Sequence, residues 1–269
     1  MIVSAASVAL DREELRELGG RVVAEAGRPS EPFGVYAFAA DAPESELARH
    51  VEREVFYEFF NNTPELLEAE YGPYEPSTLF VCALDHRRRL PAGAIRLVLP
   101  SAAGLKSLGD IEPVWGHGID DVLARTSLRL DGDRAWDVAT LAVDSEYRGR
   151  ATDGLVSLGL YQGVAQLALR CHVKWVVTIL DLVVLNLLQG AMADPFQGFA
   201  GLEPVPYLDS PASLPVYCDL DAYFARLETA DPSMYEILFE GRGLEAAIRP
   251  LDLEPALEHL LPGGHAHTA

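Results

Sequence analysis

Positive charge is scarce in this sequence: 21 Lys and Arg stand against 41 Asp and Glu, a formal net charge of −20. Such a chain repels a polyanion on average, which argues against general nucleic-acid binding. Two local basic patches remain, His86-Arg87-Arg88-Arg89 and the pair Arg148 and Arg150. Cysteine is scarcer still. Cys82, Cys171 and Cys218 are odd in number, far apart and set in apolar runs, which reads as reduced thiols of a cytoplasmic protein and not as a disulfide framework or a metal site. No long uncharged apolar run occurs. The strongest candidate, 173–188, is interrupted by Lys174, Asp181 and Asn186, so no membrane span is expected. A basic-then-apolar leader is missing from the N-terminus. There is no Gly-x-Ser-x-Gly elbow, no Walker turn and no internal repeat. His117 and His172 lack partners at metal-ligand spacing, and His265 and His267 are too few for a site, so no metal is expected.

What is present is a chain able to bury a large core, 49% apolar and 23% charged. Residues 11–27 have a helical pattern interrupted by Gly19-Gly20, and 28–32 (RPSEP) reads as a linker. A strand follows at 33–39. A helix opens near Ser45, a candidate cap, with Leu47, Val51, Val55, Phe56, Phe59 and Phe60 at helical spacing. Thr63-Pro64-Glu65 starts a second helix by the cap-then-proline rule. Strands at 79–84 and 93–99 flank the basic tip as a hairpin, and 101–133 predicts short helices or a substrate-facing lobe. Then come a strand at 136–143, a helix at 153–170, a strand at 174–180, a helix at 182–192, strands at 199–208 and 214–220, and a helical region from 221. The fold class is α/β, and the strand–helix–strand unit at 136–180 should be parallel and right-handed.

This order resembles the GNAT fold of acyl-CoA-dependent N-acyltransferases over 33–228. The residues that carry the resemblance are Trp136-Asp137-Val138-Ala139-Thr140-Leu141-Ala142-Val143 and Tyr147-Arg148-Gly149-Arg150, which look like the family's fourth strand and pyrophosphate turn. The acidic residue in a "W-acid-x-x-x-L-A-V" strand, with Glu54–Phe60 and Glu70-Tyr71 before it, resembles acyl-homoserine lactone synthases and long-chain N-acyl amino acid synthases. The resemblance implies a mixed, mostly antiparallel sheet flanked by helices, with one splayed parallel strand pair. It leaves 1–32 as an N-terminal helical extension and 229–269 as a C-terminal extension with a disordered tail.

The implied reaction moves an acyl group from a thioester, on CoA or on the phosphopantetheine of an acyl carrier protein, to a small amine by direct attack. Backbone N–H groups of Leu141, Ala142 and Val143 would contact the thioester. Arg148, Gly149, Arg150 and Ala151 would meet phosphate, and Asn186 the pantetheine arm. The turn departs from the family's Arg/Gln-x-x-Gly-x-Gly/Ala at Ala151 and at Asp153, which is a better helix cap than a phosphate neighbour. Asp137 is the candidate general base, since burial raises a carboxylate's pKa, with a structural partnership to an arginine such as Arg96 as its bland alternative. In strict alternation Asp137 shares a face with Ala139 and Leu141. Tyr207 and Tyr217 are candidates to protonate the leaving thiolate, against ordinary aromatic packing. Two rival functions stay open: a GNAT-shaped binding or regulatory module without catalysis, which Asp153 favours, and an aminoacyl-tRNA-dependent transferase, which only the 86–89 tip supports.

Overall fold

The computed structural model describes residues 10–260. Its elements are α1 (Arg12–Glu25), β1 (Phe33–Ala39), α2 (Ser45–Phe60), α3 (Pro64–Tyr71), β2 (Thr78–Asp85), β3 (Leu90–Val98), α4 (Lys106–Gly109), α5 (Ile119–Thr126), β4 (Ala135–Val143), α6 (Leu155–Arg170), β5 (Trp175–Asp181), α7 (Leu182–Ala191), β6 (Gln197–Gly198), β7 (Val205–Tyr207), β8 (Ser210–Asp219), α8 (Leu220–Ala230), α9 (Pro232–Leu238), β9 (Ile248–Arg249) and α10 (Leu253–Leu260). One nine-stranded sheet runs β6-β8-β5-β4-β3-β2-β1-β9, with β7 paired to β8. It is mostly antiparallel; β4–β5 and β1–β9 are its parallel pairs. No helix among the described residues is long and apolar enough to cross a membrane.

The central strands are apolar without alternation because both faces are covered. Val81, Ala83 and Leu97 pack beneath α6, while Phe80, Cys82 and Leu84 pack beneath α1 and α2. Cys82 and Cys218 are buried thiols, Cys171 is half-buried, and all three are free. The Gly19-Gly20 break in α1 has a packing cause. A Cβ on Gly19 would lie 2.4 Å from the Arg89 carbonyl oxygen, so glycine lets α1 sit on the hairpin tip. Two residues of that tip are spent on the fold: His86 bonds Tyr36 and the Glu31 carbonyl, and Arg88 bonds Glu146 and Tyr147. The segments flanking 33–228 join the same core. Leu15 and Leu18 pack with α2, and Ile248 packs with α6.

Three local expectations need correction. Ser45 lies inside α2 and donates to the Ala40 carbonyl, so it caps nothing. Residues 199–208 form a strand only at Val205–Tyr207, because Pro204 and Pro206 remove ladder donors. Asp153 does not cap α6; Gly154 holds that position with φ +77 and no side-chain cap bond is made, while Asp153 itself adopts φ +49. The expected disordered tail from 263 lies outside the described residues.

Candidate active site at the strand splay

Parallel pairing of β4 with β5 stops at Asp137–Val177. Beyond it β4 remains bound to β3 through Val143, and β5 to β8 through Asp181, so the two strands diverge. Leu141 stands three ladder positions past the last pair, because Ala139 has no partner on β3, and so lies about level with Leu180, one residue before Asp181, on the far side of the gap. Asp144 N–H donates to the Ala92 carbonyl at 3.0 Å, which fixes the alternation: Ala142 and Thr140 bond β3, whereas Leu141 and Val143 turn their N–H groups toward the gap. Of the three expected thioester contacts, Leu141 and Val143 are therefore oriented for the task, and Ala142 is occupied by β3.

An apolar cavity of ≈ 200 Å³ fills the splay. Phe56, Phe60 and Tyr71 wall it on the α2 face and Tyr161 and Ala165 on the α6 face; Phe224 and Leu238, from beyond residue 220, close it on the α6 side. The cavity thus crosses the sheet through the gap.

A β-bulge changes which residues reach it. Arg96 pairs Thr140 and Leu97 pairs Val138, leaving Ala139 as an extra residue. The bulge reverses the alternation, so Leu141 packs with Trp136 and Val138, while Thr140 joins Asp137 on the opposite face. The expectation that Asp137, Ala139 and Leu141 share a face is corrected accordingly. Asp137 is fully buried, accepts from Ser107 N at 2.6 Å and Ser107 Oγ at 2.7 Å, and does not line the cavity. Burial lifts its carboxyl to about 6 even though the Ser107 bonds pull the other way. Arg96 is not its partner. That guanidinium is held by Glu52 (2.6 and 2.9 Å) and Glu75 (2.5 Å), and stacks over Tyr71 and Phe80.

Thr140 does line the cavity, and its Oγ donates to Glu52 at 2.6 Å. Tyr207 lines it too, with its hydroxyl donated to Asp110 at 2.5 Å and accepting from Lys106 at 2.9 Å. Burial, with Tyr71 and Asp110 nearby, pushes this phenol far above the usual tyrosine range. Burial alone would lower the Lys106 ammonium, but Asp110 and Glu70 outweigh it and hold it above the ordinary lysine range. Tyr217 lies elsewhere, packed on Trp175 and Phe199 and bonded to Gln197. Asn186 is on the exposed face of α7 and outside the cavity lining.

At the turn, Gly149 (φ +55) and Ala151 form a tight 3₁₀ turn before α6. Arg148 is tied to the Val143 carbonyl at 2.5 Å and to Glu58 at 3.3 Å, and lies over Phe59. Arg150 is exposed and has no ion-pair partner among the described residues. The Leu155 N–H donates to the Thr152 carbonyl at 2.9 Å, and no side chain caps the N–H groups that follow it at the start of α6.

Sequence reasoning missed the carboxylate on the far bank. Asp181 caps α7 through Val183 and Val184 and accepts from Ser210 Oγ at 2.7 Å, which in turn accepts from Ser213 Oγ at 2.8 Å. All three line the cavity. Asp181 was visible only as a break in an apolar run; Ser210 and Ser213 carried no signal, since strand pairing alone brings them to it. Among the described residues no group of His, Cys, Asp and Glu is arranged to hold a metal.

No protein-family model matches the sequence, and no curated protein matches it either. Solved structures do. The chain is similar to FeeM, an N-acyl amino acid synthase from uncultured soil microbes, with a TM-score of 0.54 and 15% identity over 73% of this chain and 94% of that one. It is also similar to the CoA-dependent acyl-homoserine lactone synthase BjaI, solved with SAM and isopentyl-CoA (TM-score 0.46, 16% identity, 81% and 92% covered), and to the AHL synthase LasI (TM-score 0.40, 13% identity, 61% and 70% covered). The fold is thus that of the GNAT-type acyltransferases.

Proposed function

We propose that the protein is an N-acyltransferase that moves a medium- or long-chain acyl group from a pantetheine thioester, on CoA or on a carrier protein, to an amine. One observation supports this reading above the others: an apolar cavity crosses the sheet at the level where two backbone N–H groups are free. An acyl chain lies in the cavity, and the thioester carbonyl accepts from the Leu141 N–H, which stabilises the oxyanion as charge develops there, while the Val143 N–H, two residues along the strand, meets the pantetheine arm. The donor's phosphate meets the open start of α6 and Arg150.

The amine attacks the carbonyl carbon from the β8 bank. A C–N bond forms, the C–S bond breaks, and the thiolate leaves toward the open end. The surplus proton on nitrogen passes to Ser213 Oγ as the Ser213 proton moves to Ser210 and the Ser210 proton to Asp181, the one carboxylate among the lining residues. The base role passes to Asp181 because Asp137 has no contact with the cavity. Catalysis is otherwise positional.

The test is thiol release from decanoyl-CoA and decanoyl-pantetheine in the presence of an amine panel. Asp181→Asn keeps the helix cap, because Asn caps as well as Asp. Its turnover per folded molecule should fall on the order of 10²-fold with the melting temperature little changed. Unaltered turnover would remove Asp181 from the chemistry, and absence of amine-dependent thiol release with every donor would overturn the reading itself.

A further inference from the structure

Most polar groups of the cavity share one property: their protons are committed to other protein groups. Thr140 Oγ–H goes to Glu52, Tyr207 O–H to Asp110 and Tyr223 O–H to the Met192 carbonyl at 2.9 Å. Ser210 donates to Asp181, a carboxylate that cannot donate back, so Ser213 must donate to Ser210. Asn62 is 1% exposed, and its amide is oriented so that NH₂ donates to the Phe60 and Leu208 carbonyls at 3.2 Å, which leaves its oxygen as the free end. The cation bonded to the lining residue Tyr207 is equally committed: the three N–H donors of Lys106 go to Glu70, Asp110 and Tyr207. No Lys, Arg or His lines the cavity, and its one ionisable carboxylate is Asp181. Even the start of α7 is closed to anions, because Asp181 takes the N–H groups of Val183 and Val184. Thr178 and Tyr161 are the exceptions, lining hydroxyls whose protons have no acceptor among the described residues, and two neutral hydroxyls do not balance a carboxylate.

We infer that the acceptor is a primary amine without a carboxylate beside its nitrogen: an alkyl- or arylalkylamine or an amino alcohol, and not an α-amino acid. The inference rests on the acyltransferase reading and narrows it. A wall of lone pairs ending in one carboxylate accepts hydrogen bonds from an amine and orients its lone pair toward the thioester. The same wall offers an amino acid's carboxylate no cationic donor, only the neutral hydroxyls of Thr178 and Tyr161, and places it near Asp181, where like charges repel. The backbone donors of the site are taken by the acyl donor in the same step, Leu141 by the thioester carbonyl and Val143 by the pantetheine arm.

Matched acceptors test this on the intact chain: tyramine, L-tyrosine and L-tyrosinamide, with ethanolamine and L-serine as a second pair, each with decanoyl-CoA and decanoyl-pantetheine. The readout is kcat/KM for the acceptor at saturating donor, with the acyl amide identified by mass. Tyramine should exceed tyrosine by on the order of 10²-fold or more, as sites that leave a buried polar group unpaired discriminate. Tyrosinamide, matched to tyrosine in size but lacking the anion, should recover most of the rate. Equal or faster acylation of tyrosine and serine overturns the inference while the acyltransferase reading stands. Rejection of tyrosinamide as strong as that of tyrosine shows that size decides, and overturns the charge argument. Failure of every acceptor with both donors overturns the acyltransferase reading and the inference with it.

Discussion

Replacing Asp137 by Asn separates two roles for the buried carboxylate of β4. Its carboxyl titrates at about 6 in the folded chain, against 3.8 for the ordinary group, because burial disfavours the anion. The folded state therefore binds the proton more tightly than the unfolded one. Stability from this group is full below about pH 4 and is lost as pH rises to about 6. The difference of about 2 units corresponds to roughly 3 kcal/mol at 1.36 kcal/mol per unit, with no discount for solvent because the group is fully buried. Asparagine keeps the shape. Its oxygen accepts from Ser107 N and its NH₂ donates to the Ser107 hydroxyl, which rotates to accept; the Ser107 proton and the second amide N–H are left without an acceptor, which offsets part of the gain. At pH 7.5 the Asp137→Asn variant should be as stable as the parent or more so, by up to about 3 kcal/mol, a rise in melting temperature of roughly 6–12 °C for a chain of this size. At pH 4 the gain should vanish. Urea unfolding of both proteins from pH 4 to 8 isolates the contribution, since every other group titrates in both. Turnover per folded molecule should stay within a few-fold. A fall in turnover of 10²-fold or more at unchanged stability would refute this reasoning and return Asp137 to the role of base.

The floor of the cavity should set acyl length: Leu238→Trp fills the end beneath α9 and should lower the decanoyl-to-butanoyl ratio of kcat/KM by at least 10-fold, since each methylene that can no longer be buried forfeits about 0.8 kcal/mol. An unchanged ratio would place the chain elsewhere. At the turn the two arginines should behave differently. Arg150→Ala should weaken CoA by roughly 5- to 10-fold, about 1 kcal/mol or more for a phosphate contact, without altering the melting temperature, as read by calorimetric titration. Arg148→Ala should lower the melting temperature instead, because that side chain holds the Val143 carbonyl and Glu58.

The sheet was legible because its strands are short, β-branched apolar runs bounded by turn residues. Phe33–Ala39 falls where the sequence places it, and the 136–180 unit is the parallel pair expected, diverging at one end. The helix starts were less so. Thr63 caps α3 as the cap-then-proline pattern implies, whereas Ser45 and Asp153 are good cap residues in positions where the backbone turns differently. Hydrophobic pattern reports which segments are covered, not which carboxylate meets which arginine. Glu52 reaches Arg96 across 44 residues and Thr140 across 88, and no periodicity carries that information.

The bulge at Ala139 shows why the site was harder to read than the fold. Strand reasoning assumes a period of two, and one extra residue reverses the facing of everything after it. Before the bulge, Asp137 is committed to Ser107; after it, Thr140 faces the Glu52 side and reaches the cavity. The bulge also sets the phase that turns the Leu141 and Val143 N–H groups to the gap, because Thr140 and Ala142 are the positions that bond β3. The acidic residue that carries the sequence resemblance and the strand edge whose N–H groups face the gap thus lie on opposite sides of a one-residue insertion. The register separates an anchor at Asp137 from the edge at 140–143 that faces the gap, and in the proposed mechanism the proton's destination is Asp181, on the strand opposite.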